Sequence, residues 1–351
     1  MKYDNDEKID VQFCTRKWPK WHGSQGSERS NSVRFASVNG RVQAVNLLIL
    51  NDADVNLQDK IGYTALMHAS VKGRAKVVKN LILAGADLNM QGDSGDTALM
   101  SAARHGHVGV VKELIAARAD LNKKNKYGVT ALLFASNNGH EEVVKSLIAA
   151  GVDLKQDGTA TLMSATEKGH VEVVKVLIAK SSDGNFENGS EELVLMSAAG
   201  NGHVEIIKIL IAKGVDVNFK NGSEETALML AARHGRVEVV KELIDAKADL
   251  EKQDIYGWTA LMLAARHGRV EVVKELIDAK ADLEKQDIYG WTALMIAAAK
   301  GHVEVVKALV AAGADLSKQS NIGDTALTLA SRSWHKEVVK ALAAGAKSSD
   351  N

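Results

Sequence analysis

Apolar and polar positions recur along the chain with helical spacing. The segment ALMLAARH at 260–267 is apolar on nearly every side, whereas VEVVKELIDA at 270–279 combines an aliphatic stripe with a charged face. The first pattern predicts a helix that neighbours cover, and the second predicts an amphipathic helix with one face in water. Gly268 lies between the two segments and favours a left-handed end to the first helix.

Turn signals precede this pair of predicted helices. Asp254 and Gly257 occupy the first and fourth positions that a type I turn prefers, and Thr259 stands where a helix N-cap belongs. The resulting unit is a helix, a tight turn, a second helix and an extended loop, which we call the finger loop. Because one such unit cannot bury its own apolar faces, it requires neighbours of the same kind.

The same pattern recurs along almost the whole chain. Its inter-helix glycine is followed by His or Arg, and the interval between consecutive copies is 33 residues in eight cases and 30 in one. A fixed period of this length is the signature of a repeat protein. The ten positions are Gly40, Gly73, Gly106, Gly139, Gly169, Gly202, Gly235, Gly268, Gly301 and, in the last copy, Trp334.

The period and the motif D-x-x-G-x-T-A-L-M-x-A-A-x-x-G-H-x-E-V-V-K resemble the ankyrin repeat, in which T-P-L-H usually stands where this chain has T-A-L-M. The resemblance implies an all-α ankyrin-repeat solenoid of about ten helix-turn-helix-finger units of 33 residues. It also implies that a protein partner is bound through the finger loops and the adjoining ends of the first helices, which line a concave face. The sequence does not identify this partner.

Irregular segments set the predicted domain limits. Residues 1–25 match nothing in the repeat and are expected to cap the first repeat or to be disordered, and residues 26–351 are expected to form the ankyrin-repeat domain. Within this domain, the finger near 153–162 is three residues short, and a capping repeat is expected at 320–351. Trp334 replaces the inter-helix glycine there, which disfavours a left-handed conformation and predicts an altered turn.

Two fingers lack the D-x-x-G turn and read NGSEE instead, at 188–192 and 221–225. Asn-Gly also supports a tight turn, so we expect a turn at a shifted position in both fingers. Elsewhere the repeats are close copies of one another. Residues 226–258 and 259–291 are identical in sequence, which indicates the duplication of a whole repeat.

Composition narrows the expected partners and compartment. Lys plus Arg equals Asp plus Glu at 44 each, which removes the basic field that non-specific nucleic-acid binding requires. No apolar run approaches the length of a membrane span, the N-terminus lacks a signal-peptide pattern, and Cys14 is the single cysteine. We expect a monomeric cytoplasmic protein, or one that is delivered into a host cell without a signal peptide.

The histidines do not indicate a metal or catalytic site. Six of the 11 occupy the same position, directly after the inter-helix Gly or Trp334, in different repeats, and stacking separates them by about 10 Å, too far to share one ion. Arg holds this position in four repeats, which fits a polar helix start better than a metal ligand. No nucleotide-binding or protease motif occurs, and too few residues lie outside the repeats for a catalytic domain. We expect no catalysis, metal or cofactor.

The segment TRKWPKWHG at 15–23 combines basic residues with Trp18 and Trp21. Such a combination suits contact with a membrane surface or nucleic acid. It also suits a segment that covers the exposed apolar face of a first repeat. We favour the second interpretation, or disorder.

Aromatic residues are concentrated in the finger loops, where eight of the fifteen lie. Trp, Tyr and Arg often dominate protein interfaces, and the first-helix ends beside the fingers carry Arg-His pairs. The tryptophans have an alternative role, since they are also suited to stack on neighbouring fingers. The expected partner-binding residues are Tyr256, Trp258, Arg266, His267, Tyr289, Trp291, Arg233, His234, Lys300, Tyr127, Arg104 and His105.

The sequence therefore predicts a non-catalytic scaffold or inhibitor that binds a protein partner through its concave face and fingers. Two alternatives stay open. One is a purely structural spacer whose fingers bind nothing. The other is a host-directed effector of a bacterium or intracellular parasite, for which the TALM variant and the long array are the only indications.

Overall fold

The computed structural model describes residues 25–155, 157–180, 186 and 189–349. Helices are the only regular elements among these residues, and they divide into two compact units between residues 186 and 187. The predicted N-terminal segment lies outside the described residues up to position 24, together with its cysteine and its two tryptophans.

The first unit contains five helix pairs within the described residues. Its first helices pack on one another in one layer and its second helices pack in another. The helices are α1 (Gln25–Val38), α2 (Val42–Leu50), α3 (Ala65–Val71), α4 (Ala75–Leu83), α5 (Ala98–Arg104), α6 (Val108–Ala116), α7 (Ala131–Asn137), α8 (Glu141–Ala149), α9 (Gly158–Glu167) and α10 (Val171–Ile178).

The second unit also contains five helix pairs in the part of the chain that is described, with the same two layers. Its helices are α11 (Ser190–Asn201), α12 (Val204–Lys213), α13 (Ala227–His234), α14 (Val237–Asp245), α15 (Ala260–Arg266), α16 (Val270–Asp278), α17 (Ala293–Lys300), α18 (Val303–Ala311), α19 (Ala326–Arg332) and α20 (Lys336–Ser349).

Most of the first helices are short and owe their stability to packing. Helix α15 spans seven residues, fewer than an isolated helix needs in water. Thr259 caps it as predicted, because its hydroxyl accepts a hydrogen bond from the Met262 N–H at 3.3 Å. Ala264 and Ala265 are fully buried, and their small side chains allow the neighbouring first helices to approach closely.

The inter-helix glycine is required by its conformation and by its neighbour. Gly106 has φ +74°, and a Cβ there would lie 2.6 Å from Nδ1 of His140 in the next repeat. The His140 Nε2–H in turn donates to the Arg104 carbonyl at 3.0 Å. His140 makes no side-chain bond that caps its own helix, so the interpretation as a polar helix start is wrong. We call this hydrogen bond to the preceding repeat the reach-back bond.

Arginine forms the same bond where it replaces histidine. Arg269 Nε donates to the Arg233 carbonyl at 3.2 Å, and His302 Nε2 donates to the Arg266 carbonyl at 3.0 Å. Both side chains present an N–H at the required reach, which explains why either residue type occurs at this position. His140 and His302 are thus both used in contacts between repeats.

Trp334 keeps the left-handed conformation that we expected it to disfavour. Its φ is +61°, and the His335 N–H bonds to the Ala330 carbonyl as in the other inter-helix turns, so the predicted altered turn is wrong. No described repeat follows this position, and the Trp334 side chain is 84% exposed. The side chain therefore meets no reach-back residue, although the backbone strain remains.

The turn at 221–225 is likewise not shifted. Asn221 accepts the Glu224 N–H through its carbonyl, as Asp254 does from Gly257, and Glu224 takes the left-handed conformation with φ +59°. The register is thus that of D-x-x-G, with Glu224 in place of glycine. The second predicted NGSEE turn, at 188–192, lies partly outside the described residues.

The short finger changes the helix that follows it. Helix α9 begins at Gly158 and is ten residues long, and the Gly158 N–H donates to the Leu154 carbonyl at 2.7 Å. Ala160 stands where seven other repeats have the capping threonine, so this helix starts earlier and without that cap. The predicted shortening of the finger near 153–162 is therefore compensated by a longer first helix.

We expect Gly106→Ala to destabilise the first unit more than Gly128→Ala does. Both glycines have φ +74°, but a Cβ at Gly128 meets nothing within 4 Å. The left-handed conformation alone costs about 1 kcal/mol, and displacing His140 from its hydrogen bond should add about 1 kcal/mol. Urea denaturation of the two variants measures the difference. Equal losses of stability would show that the reach-back contact contributes nothing.

Candidate partner-binding site

An open groove lies in the second unit, between consecutive fingers and the C-terminal ends of the first helices. Its volume is about 670 Å³. We call it the Arg266 groove. Half of the predicted partner-binding residues line it, namely Tyr256, Trp258, Arg266, His267, Tyr289 and Arg233.

Backbone and amide hydrogen bonds hold the two fingers of the groove together. The Ile288 N–H donates to the Tyr256 carbonyl at 3.1 Å. Gln253 Nε2 bridges the fingers, because it donates to the Gly257 carbonyl of its own finger and to the Gln286 carbonyl of the next. The walls of the groove are therefore fixed by bonds that do not involve the exposed side chains.

Trp258 lines the groove and also belongs to the hydrogen-bonded linkage between fingers, which we call the frame. Its half-buried indole N–H donates to Asp287 Oδ2 of the next finger at 3.1 Å, and Asp287 is only 8% exposed. Trp291 occupies the same position one repeat later, but there the chain has Ser320 where Asp287 would be. The two tryptophans, identical in local sequence, thus have different neighbours.

Three of the finger tyrosines are exposed. Tyr256 is 55% exposed and Tyr289 is 62% exposed, while their carbonyls bond to the following finger. Tyr127, in the first unit, is 79% exposed. These side chains are open to a partner, whereas the neighbouring backbone is not.

An acid–arginine pair that we did not expect recurs at the ends of the first helices. A carboxylate immediately before the N-cap threonine pairs with an arginine eight residues later. This eight-residue spacing between acid and arginine is visible in the sequence and was the signal from which the pair could have been predicted. The pairs are Asp96 with Arg104 at 2.8 Å, Glu225 with Arg233, and Asp324 with Arg332 at 2.6 Å.

Arg266 departs from this pattern. Trp258 occupies the position of the acid, and the Arg266 guanidinium lies 4.6 Å from the centroid of the Trp258 ring. Among the described residues, no carboxylate lies within ion-pair distance of Arg266, and its side chain is exposed. The groove therefore contains a guanidinium that is held by an aromatic face and keeps its hydrogen-bond donors available.

Positive charge dominates around the two histidines of this region. Burial lowers the pKa of His267 below its ordinary value, and Arg266 then lowers it further. Burial also lowers the pKa of His234, with additional lowering by Arg236 and Arg233. Because a lowered pKa leaves an imidazole neutral near pH 7, the charge of the groove comes from its arginines.

The remaining predicted residues lie elsewhere. His234, Trp291 and Lys300 belong to the second unit but do not line the groove. In the first unit, Arg104 is engaged with Asp96 and lies 3.9 Å from the centroid of the Phe134 ring. His105, also in the first unit, donates through Nδ1 to the Ser101 carbonyl. Six of the twelve predicted residues therefore line the groove, and the other six do not.

A sequence model of ankyrin repeats, in three copies, matches residues 33–125, 109–188, 195–287 and 279–351. The chain belongs to the ankyrin-repeat family. The predicted all-α ankyrin-repeat solenoid is confirmed as the fold class.

Ankyrin repeats are generally protein–protein interaction modules and are typically non-catalytic, which supports a protein partner for this chain. No curated protein matches the chain significantly. In the described part of the chain, no helix is long and apolar enough to cross a membrane. Within the same residues, no group of three or more His, Cys, Asp or Glu side chains is placed to hold a metal ion.

We expect Trp258→Phe to lower the free energy of unfolding of the second unit by about 1 kcal/mol, because Asp287 loses a hydrogen bond in a buried position. Trp291→Phe is the matched control, since the same change of side chain removes no bond to a carboxylate there. Its effect should stay within about 0.5 kcal/mol. Urea denaturation measures both variants, and equal effects would contradict a structural role specific to Trp258.

The pKa of His267 depends on the charge of Arg266. Arg266→Gln should raise the pKa of His267, because removal of a neighbouring positive charge makes the imidazolium easier to form. Arg236→Gln is the control, since Arg236 acts on His234 and is not among the charges that act on His267. Proton NMR titration of the imidazole Cε1–H resonances measures both. An unchanged His267 pKa in Arg266→Gln contradicts the charge arrangement.

Proposed function

We propose that the chain is a non-catalytic scaffold or inhibitor that binds a protein partner, with the Arg266 groove as its main contact surface. The observation that carries this proposal is the combination of Tyr256 and Tyr289, both more than half exposed, with an arginine that no carboxylate of the described chain pairs. Aromatic and arginine side chains at the centre of a surface are typical of residues that dominate binding.

Rigidity of the frame supports this function. Association loses part of its free energy to the ordering of loops and side chains, so a preorganised surface binds more tightly than a mobile one. Here the fingers are bonded through Gln253, and the helix ends that carry Arg233 and Arg266 are fixed by reach-back bonds from Arg269 and His302. The exposed side chains therefore stand on an ordered backbone.

A spacer would need the frame but not the exposed residues. The hydrogen bond from Trp258 to Asp287 would suit a spacer, since it links fingers. Tyr256 and Tyr289 contribute only their carbonyls to that linkage, and their phenol rings are left exposed. Exposed aromatic rings without a structural role favour binding. Delivery into a host cell stays a prediction, because none of these contacts bears on it.

Replacement of Tyr256 and Tyr289 together by Ala should weaken capture of the partner at least about tenfold, because two central aromatic contacts are lost. The measurement is chemical crosslinking in the native cell, followed by quantitative mass spectrometry of the proteins bound to the tagged chain. Far-UV circular dichroism should be unchanged, since neither side chain supports the frame.

The control is Glu271→Ala combined with Lys274→Ala, which removes an exposed ion pair on the second helix of the same repeat. This variant should capture the partner as well as the unchanged chain does. If the tyrosine variant captures the same proteins in the same amounts, the groove is not the contact surface.

A further inference from the structure

The recurring acid–arginine pair defines what an arginine at the end of a first helix binds. In three repeats, the guanidinium of such an arginine meets a carboxylate from its own finger, and the acids are mostly buried, with side-chain exposures of 3% for Asp96, 15% for Glu225 and 9% for Asp324. A planar guanidinium and a carboxylate fit each other through two parallel hydrogen bonds. Arg266 holds the same position at the end of its helix, but Trp258 replaces the acid.

Trp258 does more than fill the position of the acid. Its ring supports the Arg266 guanidinium from one side, and its indole N–H is fixed on Asp287. The backbone of Arg266 is fixed by His302. The guanidinium is therefore restrained, which reduces the entropy that a ligand must overcome to pair with it.

The carboxylates that line the groove already have partners within the chain. Glu225 pairs with Arg233. Asp254 accepts the Tyr256 and Trp258 backbone N–H groups through Oδ1, which builds the finger turn. The charges of Arg269 and Arg236 add to the positive field of this region, as the lowered pKa of His234 shows. An anionic group on a ligand would thus find a donor that the chain does not satisfy.

The groove also contains apolar and aromatic surface. Ile255 and Leu263 line it beside the two tyrosines, and Ile255 is 53% exposed. A free inorganic anion would leave these surfaces in water. A peptide that carries an acid next to a bulky apolar side chain would cover both features at once.

We propose that the Arg266 groove binds an acidic segment of the partner protein, in which an Asp or Glu carboxylate pairs with Arg266 and an adjacent bulky apolar side chain packs against Tyr256 and Tyr289. This proposal rests on the proposed function and specifies the chemistry of the partner. The carboxylate of the partner forms the ion pair that the finger acid forms in the other arginine-bearing repeats, although Trp258 occupies the position of that acid.

The probe is a random dodecapeptide phage library, selected on the full chain. Peptides that bind are synthesised with a fluorescent label, together with versions in which each Asp or Glu is changed to Asn or Gln. Fluorescence anisotropy then gives their affinity for the unchanged chain and for four variants: Arg266→Gln, Arg266→Lys, Arg332→Gln, and the double variant Tyr256→Ala with Tyr289→Ala.

The expected result is enrichment of peptides with an acid beside a bulky apolar residue. Amidation of that acid should weaken binding to the unchanged chain about tenfold or more, as for other charge-assisted hydrogen bonds. The same amidation should have little effect on binding to Arg266→Gln, because the two groups act as a pair. Arg266→Lys should retain only part of the affinity, since it keeps the charge and loses the planar fork.

Arg332→Gln is the matched control, because Arg332 holds the same position but pairs with Asp324 of its own finger. It should leave peptide affinity unchanged. Peptides that require the tyrosines but show no preference for an acid would overturn this proposal and leave the proposed function intact. Selected peptides that bind equally well without the tyrosines would contradict both. A phosphoserine peptide that binds more than tenfold tighter than its Glu counterpart would overturn the assignment of a carboxylate.

Discussion

The reach-back bond is the interaction on which the rest of the structure depends. A helix pair with a seven-residue first helix has too little core to fold alone, and hydrophobic packing between small Ala and Val side chains does not fix how neighbours are registered. Within each unit, a His or Arg such as His140 or Arg269 supplies that register, because its N–H must meet one carbonyl of the preceding repeat. Glycine at the turn follows from the same contact, since a Cβ would occupy the space of the incoming ring.

This frame separates two kinds of residue on the same finger. Gln253 and Asp254 are used by the backbone, and Trp258 links one finger to the next. Tyr256, between them, contributes only backbone groups to the frame and presents its ring to solvent. Structural and exposed positions alternate within a few residues, so the surface can vary in chemistry while the stack remains intact.

The sequence was sufficient for the features that depend on local chemistry. The period, the Thr259 cap, the Asp254 turn and the glycine conformations all follow from residue types at fixed spacing. It was insufficient where a contact joins different repeats. The role of His140 depends on a carbonyl 36 residues earlier, and the groove depends on which finger residues meet. Trp334 was misjudged because the penalty for its conformation was considered without the contact that makes glycine necessary elsewhere.

The acid–arginine pair spans the border between two successive sequence blocks. Residues 226–258 and 259–291 are identical, yet the first block follows Glu225 and the second follows Trp258, the last residue of the first. Copying the block therefore changed the environment of its arginine without changing any residue inside it. In such an array, duplication alone leaves an arginine without its paired acid. Functions of the copies can therefore diverge before the first point mutation.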